Sequence, residues 1–278
     1  MTVFCRTEYG GRPTLAPIAV AVAHPDDETL WLSSVVAAAD RIVFCFSDQF
    51  QNRRKAAARQ QAVAALPFTG IIELGVPESG ARFLADWTRP RLTPAGIEVT
   101  DAAARARYEA NFPKLVAGLR SALAGCREVY THNPWGEYGH TEHIQVYRAV
   151  TALQAELGYT IWFPNYVGAA SWVLAQHASR QSCWTECRKV APDLGTARKA
   201  MDVYRQHGAW TWTRWHRWPA HETLYAQPRF EDPAARRPLA GEWLLDVAGL
   251  RWWPPPWRPA RRRLASEAMR SSGDHAAR

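Results

Sequence analysis

Apolar runs alternate with helix-like segments through the first half of the chain. Short apolar runs predict strands at 17–23, 41–46, 70–75, 128–131 and 159–163. Between them, longer segments predict helices at 28–39, 52–66, 101–123 and 141–156. This alternation is typical of an α/β protein. We therefore predict a Rossmann-like three-layer fold with a mostly parallel sheet between layers of helices.

The second half of the chain is less regular. Residues 195–207 predict another helix, and the alternating aromatic residues of WTWTRWHRW at 210–218 favour a half-buried strand face. A segment rich in Pro, Trp and Arg begins at RWWPPPW. We predict one domain over 1–250 and a separate basic tail over 251–278.

The stretch HPDDE at 24–28 directly follows the first predicted strand and opens the next helix. An acidic residue there would cap the helix, but capping explains neither His24 nor two adjacent carboxylates. Neighbouring carboxylates repel each other unless a positive charge lies close to them. A divalent metal ion would supply that charge, with one Asp as ligand and the other facing the attacking water. Capping alone and a metal site both fit this stretch.

A second polar stretch, THNPWGEYGHTEH at 131–143, follows another predicted strand. His140 and His143 are three residues apart and share a face of the helix that begins there. An exposed loop, or His140 as an N-cap residue, is the alternative. The carboxyl ends of parallel strands meet at one edge of a sheet, so both stretches are expected at the same crevice. Two His and one carboxylate with an open position are typical of catalytic zinc.

Together, AHPDDE at 23–28 and GHTEH at 139–143 resemble the LmbE/PIG-L family of zinc-dependent N-acetylglucosamine deacetylases. Glu142 stands where the family usually has Asp, a difference that we expect to touch no metal ligand. Weaker similarities lie in RKAMDVYRQH at 198–207 and in ETLY at 222–225. The resemblance extends over about residues 17–226 and implies a metal site at the C-terminal ends of the strands.

The resemblance implies that His24, Asp27 and His143 bind Zn²⁺, although the ligand types also suit Fe²⁺ or another divalent ion. It further implies that Asp26 is the general base for the attacking water. His140 would stabilise developing charge or donate a proton.

Three further residues are predicted on weaker grounds. The resemblance implies that Tyr138 helps to hold the oxyanion. It also implies an Arg on the helix after the second strand that binds sugar hydroxyls. Arg54 is our prediction among four basic candidates: Arg53, Arg54, Lys55 and Arg59. Trp135 lies inside the second motif and is predicted to wall the substrate pocket.

The function implied is hydrolysis of the N-acetyl group of an N-acetylglucosamine-type sugar or glycoconjugate. One alternative is a metal amidase that cleaves a larger acyl or thiol-conjugate amide. Another is a sugar-binding member without turnover. An amino sugar or glycoconjugate is the expected partner in each case.

Charge and cysteine content add little to this prediction. The formal net charge is +8, but residues 251–278 hold seven Arg against Glu267 and Asp274. The tail is expected to be inert or to touch an acidic membrane surface weakly. No nucleic-acid fold signature accompanies it, so nucleic acid is not expected. The odd number of cysteines, five, and the lack of an apolar leader lead us to expect a cytoplasmic protein.

Overall fold

The computed structural model describes residues 16–47, 52–181, 186–213, 216–227 and 245–246. The strands are β1 (Ile18–Val22), β2 (Arg41–Phe44), β3 (Ile71–Glu73), β4 (Leu92–Thr93), β5 (Gly96–Ile97), β6 (Glu128–Thr131), β7 (Thr160–Pro164), β8 (Tyr166–Val167), β9 (Glu186–Val190), β10 (Glu222–Gln227) and β11 (Leu245–Asp246). The helices are α1 (Asp27–Trp31), α2 (Arg53–Ala65), α3 (Ala102–Ala122), α4 (Thr141–Leu157), α5 (Trp172–Gln181) and α6 (Leu194–Gln206), with a 3-10 turn at Val36–Ala38.

Seven strands form the central sheet in the order β3-β2-β1-β6-β7-β10-β9. The first five are parallel to their neighbours, and β10 runs antiparallel to both β7 and β9. The chain leaves β1 toward β2 on one side, and β6 later pairs with β1 on the other side. The order of strands therefore reverses between β1 and β6, and a crevice opens there at the carboxyl ends of both strands.

The two faces of β1 enter two different cores. Ala19 and Ala21 face a core shared with α3, α4 and α5, whereas Val20 and Val22 face a core shared with α2 and α6. Helices thus cover both faces of a mostly parallel sheet, and the predicted three-layer α/β fold is confirmed. Every described strand of the first half was predicted, apart from the short β4 and β5.

Polar caps explain why the longer helices begin where they do. Asn52 accepts a hydrogen bond from Lys55 N at 3.0 Å at the start of α2, and Asp101 accepts one from Ala104 N at 2.8 Å at the start of α3. Such caps satisfy backbone N–H groups that have no partner within the helix. The predicted helices that correspond to α2, α3, α4 and α6 agree with the observed ones to within one residue at either end.

Two predicted elements are wrong. The helix expected over 28–39 ends at Trp31, because Ser33 and Ser34 bind the carboxylate of Glu222 on β10 instead of continuing the helix. The strand face expected over 210–218 is not a strand in its described residues, 210–213 and 216–218. Within this segment, the backbone N–H of Thr211 donates to the side chain of Asp26 rather than to a neighbouring strand.

The tail predicted over 251–278 lies outside the described residues, so the boundary at 250 stays a prediction. Among the described residues, no helix combines the length and apolar character needed to cross a membrane.

Candidate metal centre

The two polar stretches predicted from the sequence meet at the crevice between β1 and β6. His24 and Asp27 follow β1, and His143 lies in the first turn of α4. Asp27 Oδ2 is 3.2 Å from His24 Nδ1 and 3.3 Å from His143 Nε2. All three side chains are buried, so the structure brings the three predicted ligands into one group.

These donors fit a divalent cation. His143 Nε2 is buried and makes no hydrogen bond of regular geometry among the described residues, although Asp27 Oδ2 lies 3.3 Å away. An unpaired buried nitrogen of this kind destabilises the fold unless another group satisfies it. Imidazole nitrogen and carboxylate oxygen are the ligands that zinc takes in catalytic sites, and the same set suits Fe²⁺. Two sets of buried side chains here have ligand atoms within 4.8 Å of one another and could hold a divalent metal: His24 with His140 and His143, and Asp27 with His132 and His143.

His132, which was not predicted, lies against the same group. Its ring stacks on that of His143 at 3.9 Å, and its Nε2 is 3.5 Å from Asp27 Oδ2. That nitrogen accepts a hydrogen bond from Ala23 N at 2.8 Å, so its lone pair is already used. Burial and the neighbouring His143 lower the pKa of His132, which keeps it neutral. We interpret His132 as a structural residue whose hydrogen bond with Ala23 connects the end of β6 to the end of β1.

Asp26 is held in a strained turn beside Asp27. Its φ of 106° is a left-handed conformation that costs non-glycine residues energy, and such strain is typical of functional sites. Its Oδ2 accepts hydrogen bonds from Thr211 Oγ1 at 2.6 Å and from Thr211 N at 3.1 Å. Burial and the negative charge of Asp27 raise the pKa of Asp26 above its ordinary range. Thr211 carries no signal in the sequence that would have predicted this contact.

His140 caps α4 and lines the crevice at the same time. Its Nδ1 accepts a hydrogen bond from Glu142 N at 3.3 Å, so the N-cap interpretation of this residue holds. Burial and the adjacent rings of His143 and His24 hold the pKa of His140 well below its usual range. The ring is therefore neutral, and with Nδ1 as acceptor its proton lies on Nε2.

Tyr138 stands beside His140 on the wall of the crevice, with their rings 5.9 Å apart. Burial raises the pKa of its phenol, so the hydroxyl keeps its proton, and the Arg82 guanidinium hydrogen-bonds to it. Trp212 packs on Tyr138 at a ring distance of 5.0 Å. The phenol is thus fixed from two sides.

The crevice widens into a cavity of about 280 Å³. Besides the residues above, its lining comes from α1, from α2, from the loop after β3 and from the segment after α6: Leu30, Lys55, Arg59, Glu78, Gly208, Ala209 and Trp210. Arg59 pairs with Glu78 across the cavity wall.

Two predicted substrate-binding residues lie elsewhere. Arg54 is exposed on α2 and does not line the cavity, whereas Lys55 and Arg59 do. Lys55 and Arg59 are four residues apart and share a helix face, from which Arg54 is rotated away. Trp135 is fully buried, packs on Phe163 and donates its indole N–H to a backbone carbonyl, so it belongs to the core.

The expectation for Glu142 is also wrong. Its Oε2 lies 3.0 Å from His24 Nε2, so this residue does touch a predicted metal ligand. Its other oxygen accepts hydrogen bonds from the backbone N–H and the hydroxyl of Ser79, both at 2.6 Å.

No family model matches the chain, and no curated protein matches it either. Among solved structures, it is similar to a deacetylase–teicoplanin complex from the biosynthesis of teicoplanin, with 13% identity and a TM-score of 0.49 over 75% of this chain and 97% of that one. It is also similar to the A40926 pseudoaglycone deacetylase Dbv21, with 14% identity and a TM-score of 0.42 over 70% and 82%.

A third similar structure is the conserved protein TT1542 from Thermus thermophilus, with 17% identity and a TM-score of 0.39 over 69% of this chain and 80% of that one. At these identities and TM-scores the likeness by itself assigns neither family nor activity to this chain.

Proposed function

We propose that this protein is a metal-dependent amide hydrolase that removes the N-acetyl group from an N-acetylglucosamine-type sugar or glycoconjugate. One observation carries the proposal. Asp26, a buried carboxylate held by Thr211, stands next to Asp27, which lies in contact with His24 and His143. Asp26 lines the same cavity as His24 and Asp27, which supports a general base beside a metal site, the arrangement that metal-dependent amide hydrolysis uses.

A divalent metal held by His24, Asp27 and His143 would polarise the carbonyl of the amide and acidify water. Asp26 would take the proton of the attacking water as its oxygen adds to the carbonyl carbon. The same carboxyl would then deliver that proton to the amide nitrogen as the carbon–nitrogen bond breaks. Acetate and a free amino sugar would leave the cavity.

Two neutral hydrogen-bond donors, His140 and Tyr138, would stabilise the negative charge that develops on the carbonyl oxygen. His140 presents Nε2–H to the cavity because its Nδ1 is engaged by the backbone of α4. Tyr138 keeps its phenolic proton and is oriented by Arg82. Hydrogen-bond donors fixed before the reaction stabilise an oxyanion without reorganising during it.

The size and the lining of the cavity suit a substrate with a small acyl group and a sugar ring. Its volume of about 280 Å³ lies just below the range of about 300–1,000 Å³ that is typical of small-molecule sites. Trp210 and Trp212 line the cavity, and indole rings can pack on the C–H groups of a sugar. Lys55 and Arg59 line it as well and can donate hydrogen bonds to hydroxyls.

The test is acetate release by zinc-loaded protein from N-acetylglucosamine, its phospholipid and thiol-precursor conjugates, and chitooligosaccharides. We expect release from at least one of them and a loss of about 10²-fold or more in kcat for Asp26→Asn, which removes the general base. Asp202→Asn changes an exposed carboxylate on α6 and should leave the rate unchanged.

Three outcomes would contradict the proposal. Full activity of Asp26→Asn would exclude Asp26 as the base. Turnover of bulky amides without turnover of acetamides would favour the larger-acyl amidase. Zinc bound at one ion per chain without release from any substrate would favour a sugar-binding protein.

A further inference from the structure

Each of two predicted metal-binding histidines turns one ring nitrogen toward a buried carboxylate that is not itself a predicted ligand. Glu137 Oε2 lies 2.6 Å from His143 Nδ1. Glu142 Oε2 lies 3.0 Å from His24 Nε2. Both carboxylates are almost completely shielded from solvent, at 0% and 2% exposure. Because an ionised carboxylate only accepts hydrogen bonds, each contact favours a proton on the ring nitrogen that faces the glutamate. The other nitrogen of each ring faces Asp27, the third predicted ligand, so a cation there would lie between lone pairs.

Glu137 determines the state of His143. Its Oε2 also accepts from His132 Nδ1 at 3.1 Å, and its Oε1 accepts from Asn133 N at 2.9 Å, so the carboxylate itself is fixed. Glu137 has a φ of 47°, the left-handed region, which places it within reach of both rings. With the proton on Nδ1, the lone pair of His143 lies on Nε2. That is the buried nitrogen that makes no hydrogen bond of regular geometry among the described residues.

Glu142 determines the state of His24 from the opposite side. Its Oε1 is bound by the backbone N–H and the hydroxyl of Ser79, which leaves Oε2 to accept from His24 Nε2. The lone pair available for a cation is then on Nδ1, the nitrogen 3.2 Å from Asp27 Oδ2. Glu142 is one methylene longer than Asp, and that length allows it to reach both Ser79 and His24.

We propose that Glu137 and Glu142 are positioning residues of the metal centre, which fix its two histidines so that a cation is bound through Nε2 of His143 and Nδ1 of His24. This inference rests on the metal site within the proposed function and is independent of which amide is cleaved. Buried carboxylates that hold the far nitrogen of a ligating histidine are known to strengthen metal binding by one to two orders of magnitude.

The first experiment measures zinc affinity by competition with a chromophoric chelator, without any substrate. We expect Glu137→Gln and Glu142→Gln each to bind zinc about 10- to 100-fold more weakly than the wild type. Glu142→Asp should lose affinity too, since the shorter chain cannot span Ser79 and His24. The matched control is Glu222→Gln, which alters a buried carboxylate bonded to Ser33, Ser34 and Tyr166.

Glu222→Gln should keep wild-type zinc affinity even if it lowers the melting temperature. Wild-type affinity of both Glu137→Gln and Glu142→Gln would overturn the proposal. An equal loss of affinity in Glu222→Gln would overturn it as well, because the effect would then come from general destabilisation.

The second experiment needs no variant and remains decisive if Glu137→Gln does not fold. Long-range ¹H–¹⁵N correlation spectra of the zinc-loaded wild-type protein report which ring nitrogen carries the proton. We expect a proton on Nδ1 of His143 and on Nε2 of His24. The opposite assignment for either ring would overturn the proposal. Both experiments read metal binding alone, so failure to release acetate would leave this inference standing.

Discussion

At the scale of single residues, the position of Asp26 depends on Thr211, which is 185 residues further along the chain. Asp26 occupies a left-handed conformation that costs about 1–3 kcal/mol, so its surroundings must hold it there. Thr211 does so with two hydrogen bonds to one carboxylate oxygen, which leaves the other oxygen to take a proton.

We therefore predict that Thr211→Val, which keeps the backbone N–H bond but removes the hydroxyl, lowers kcat of acetate release about 10- to 100-fold. A hydrogen bond to a charged group contributes about 1.5–3 kcal/mol, and each ~1.4 kcal/mol corresponds to a factor of ten in rate. Steady-state kinetics would show the loss in kcat with KM little changed. Thr211→Ser retains a hydroxyl and should recover most of the rate. If valine were as active as serine, the hydroxyl would have no part in the reaction.

At the scale of elements, contacts with the first residue of β10 determine where α1 ends. Glu222, the first residue of β10, accepts hydrogen bonds from the hydroxyls of Ser33 and Ser34 and from Ser34 N. Tyr166 OH adds another at 3.0 Å. These bonds draw the chain out of the helical conformation after Trp31 and anchor the segment that follows α1 to the sheet.

We predict that Glu222→Gln lowers the free energy of unfolding by about 1–3 kcal/mol, because the new NH₂ group faces donors and leaves one of them unpaired. Urea denaturation would measure the change through the midpoint. Glu73→Gln, an exposed carboxylate at the end of β3, should stay within about 0.5 kcal/mol of the wild type. Equal midpoints for the two variants would show that the Glu222 contacts do not stabilise the fold.

At the scale of the whole molecule, the candidate metal centre joins segments that are far apart in the sequence. The loop after β1 supplies His24 and Asp27, and the start of α4 supplies His143. Ser79 and Thr211 attach the loop after β3 and the segment after α6 to the same group. A cation bound there would cross-link both sides of the crevice and stabilise the folded chain as a whole.

Removal of the metal by a chelator should therefore lower the melting temperature. At a free metal concentration of about 100 times Kd, binding contributes about 2.7 kcal/mol to folding, which corresponds to several degrees for a domain of this size. Differential scanning calorimetry with and without zinc would show the shift. Asp27→Asn removes a predicted ligand and should melt at nearly the same temperature in both conditions. A metal-dependent shift in that variant as large as in the wild type would mean that the cation binds elsewhere.

The amino-acid sequence by itself predicted five of the seven strands described in the central sheet, four of the six described helices closely, and the edge of the sheet at which the polar motifs lie. Hydrophobic periodicity is a local property, so β1, β6 and α4 could be predicted from neighbouring residues alone. Because HPDDE and GHTEH each follow a strand, the topology of a parallel sheet predicted that both stretches lie at one edge. The family resemblance, not the topology, singled out His24, Asp27 and His143 within them.

Only the tertiary structure decided which other side chains complete the site. Arg54 and Arg59 look alike in sequence, but only Arg59 lies on the face of α2 that is turned toward the cavity. Trp135 is within the second motif yet lies in the core, whereas Trp212 reaches the cavity from a distant segment. Thr211 meets Asp26 through a contact between residues far apart in the sequence. Such contacts depend on how whole elements pack, and no local pattern of polar and apolar residues encodes them.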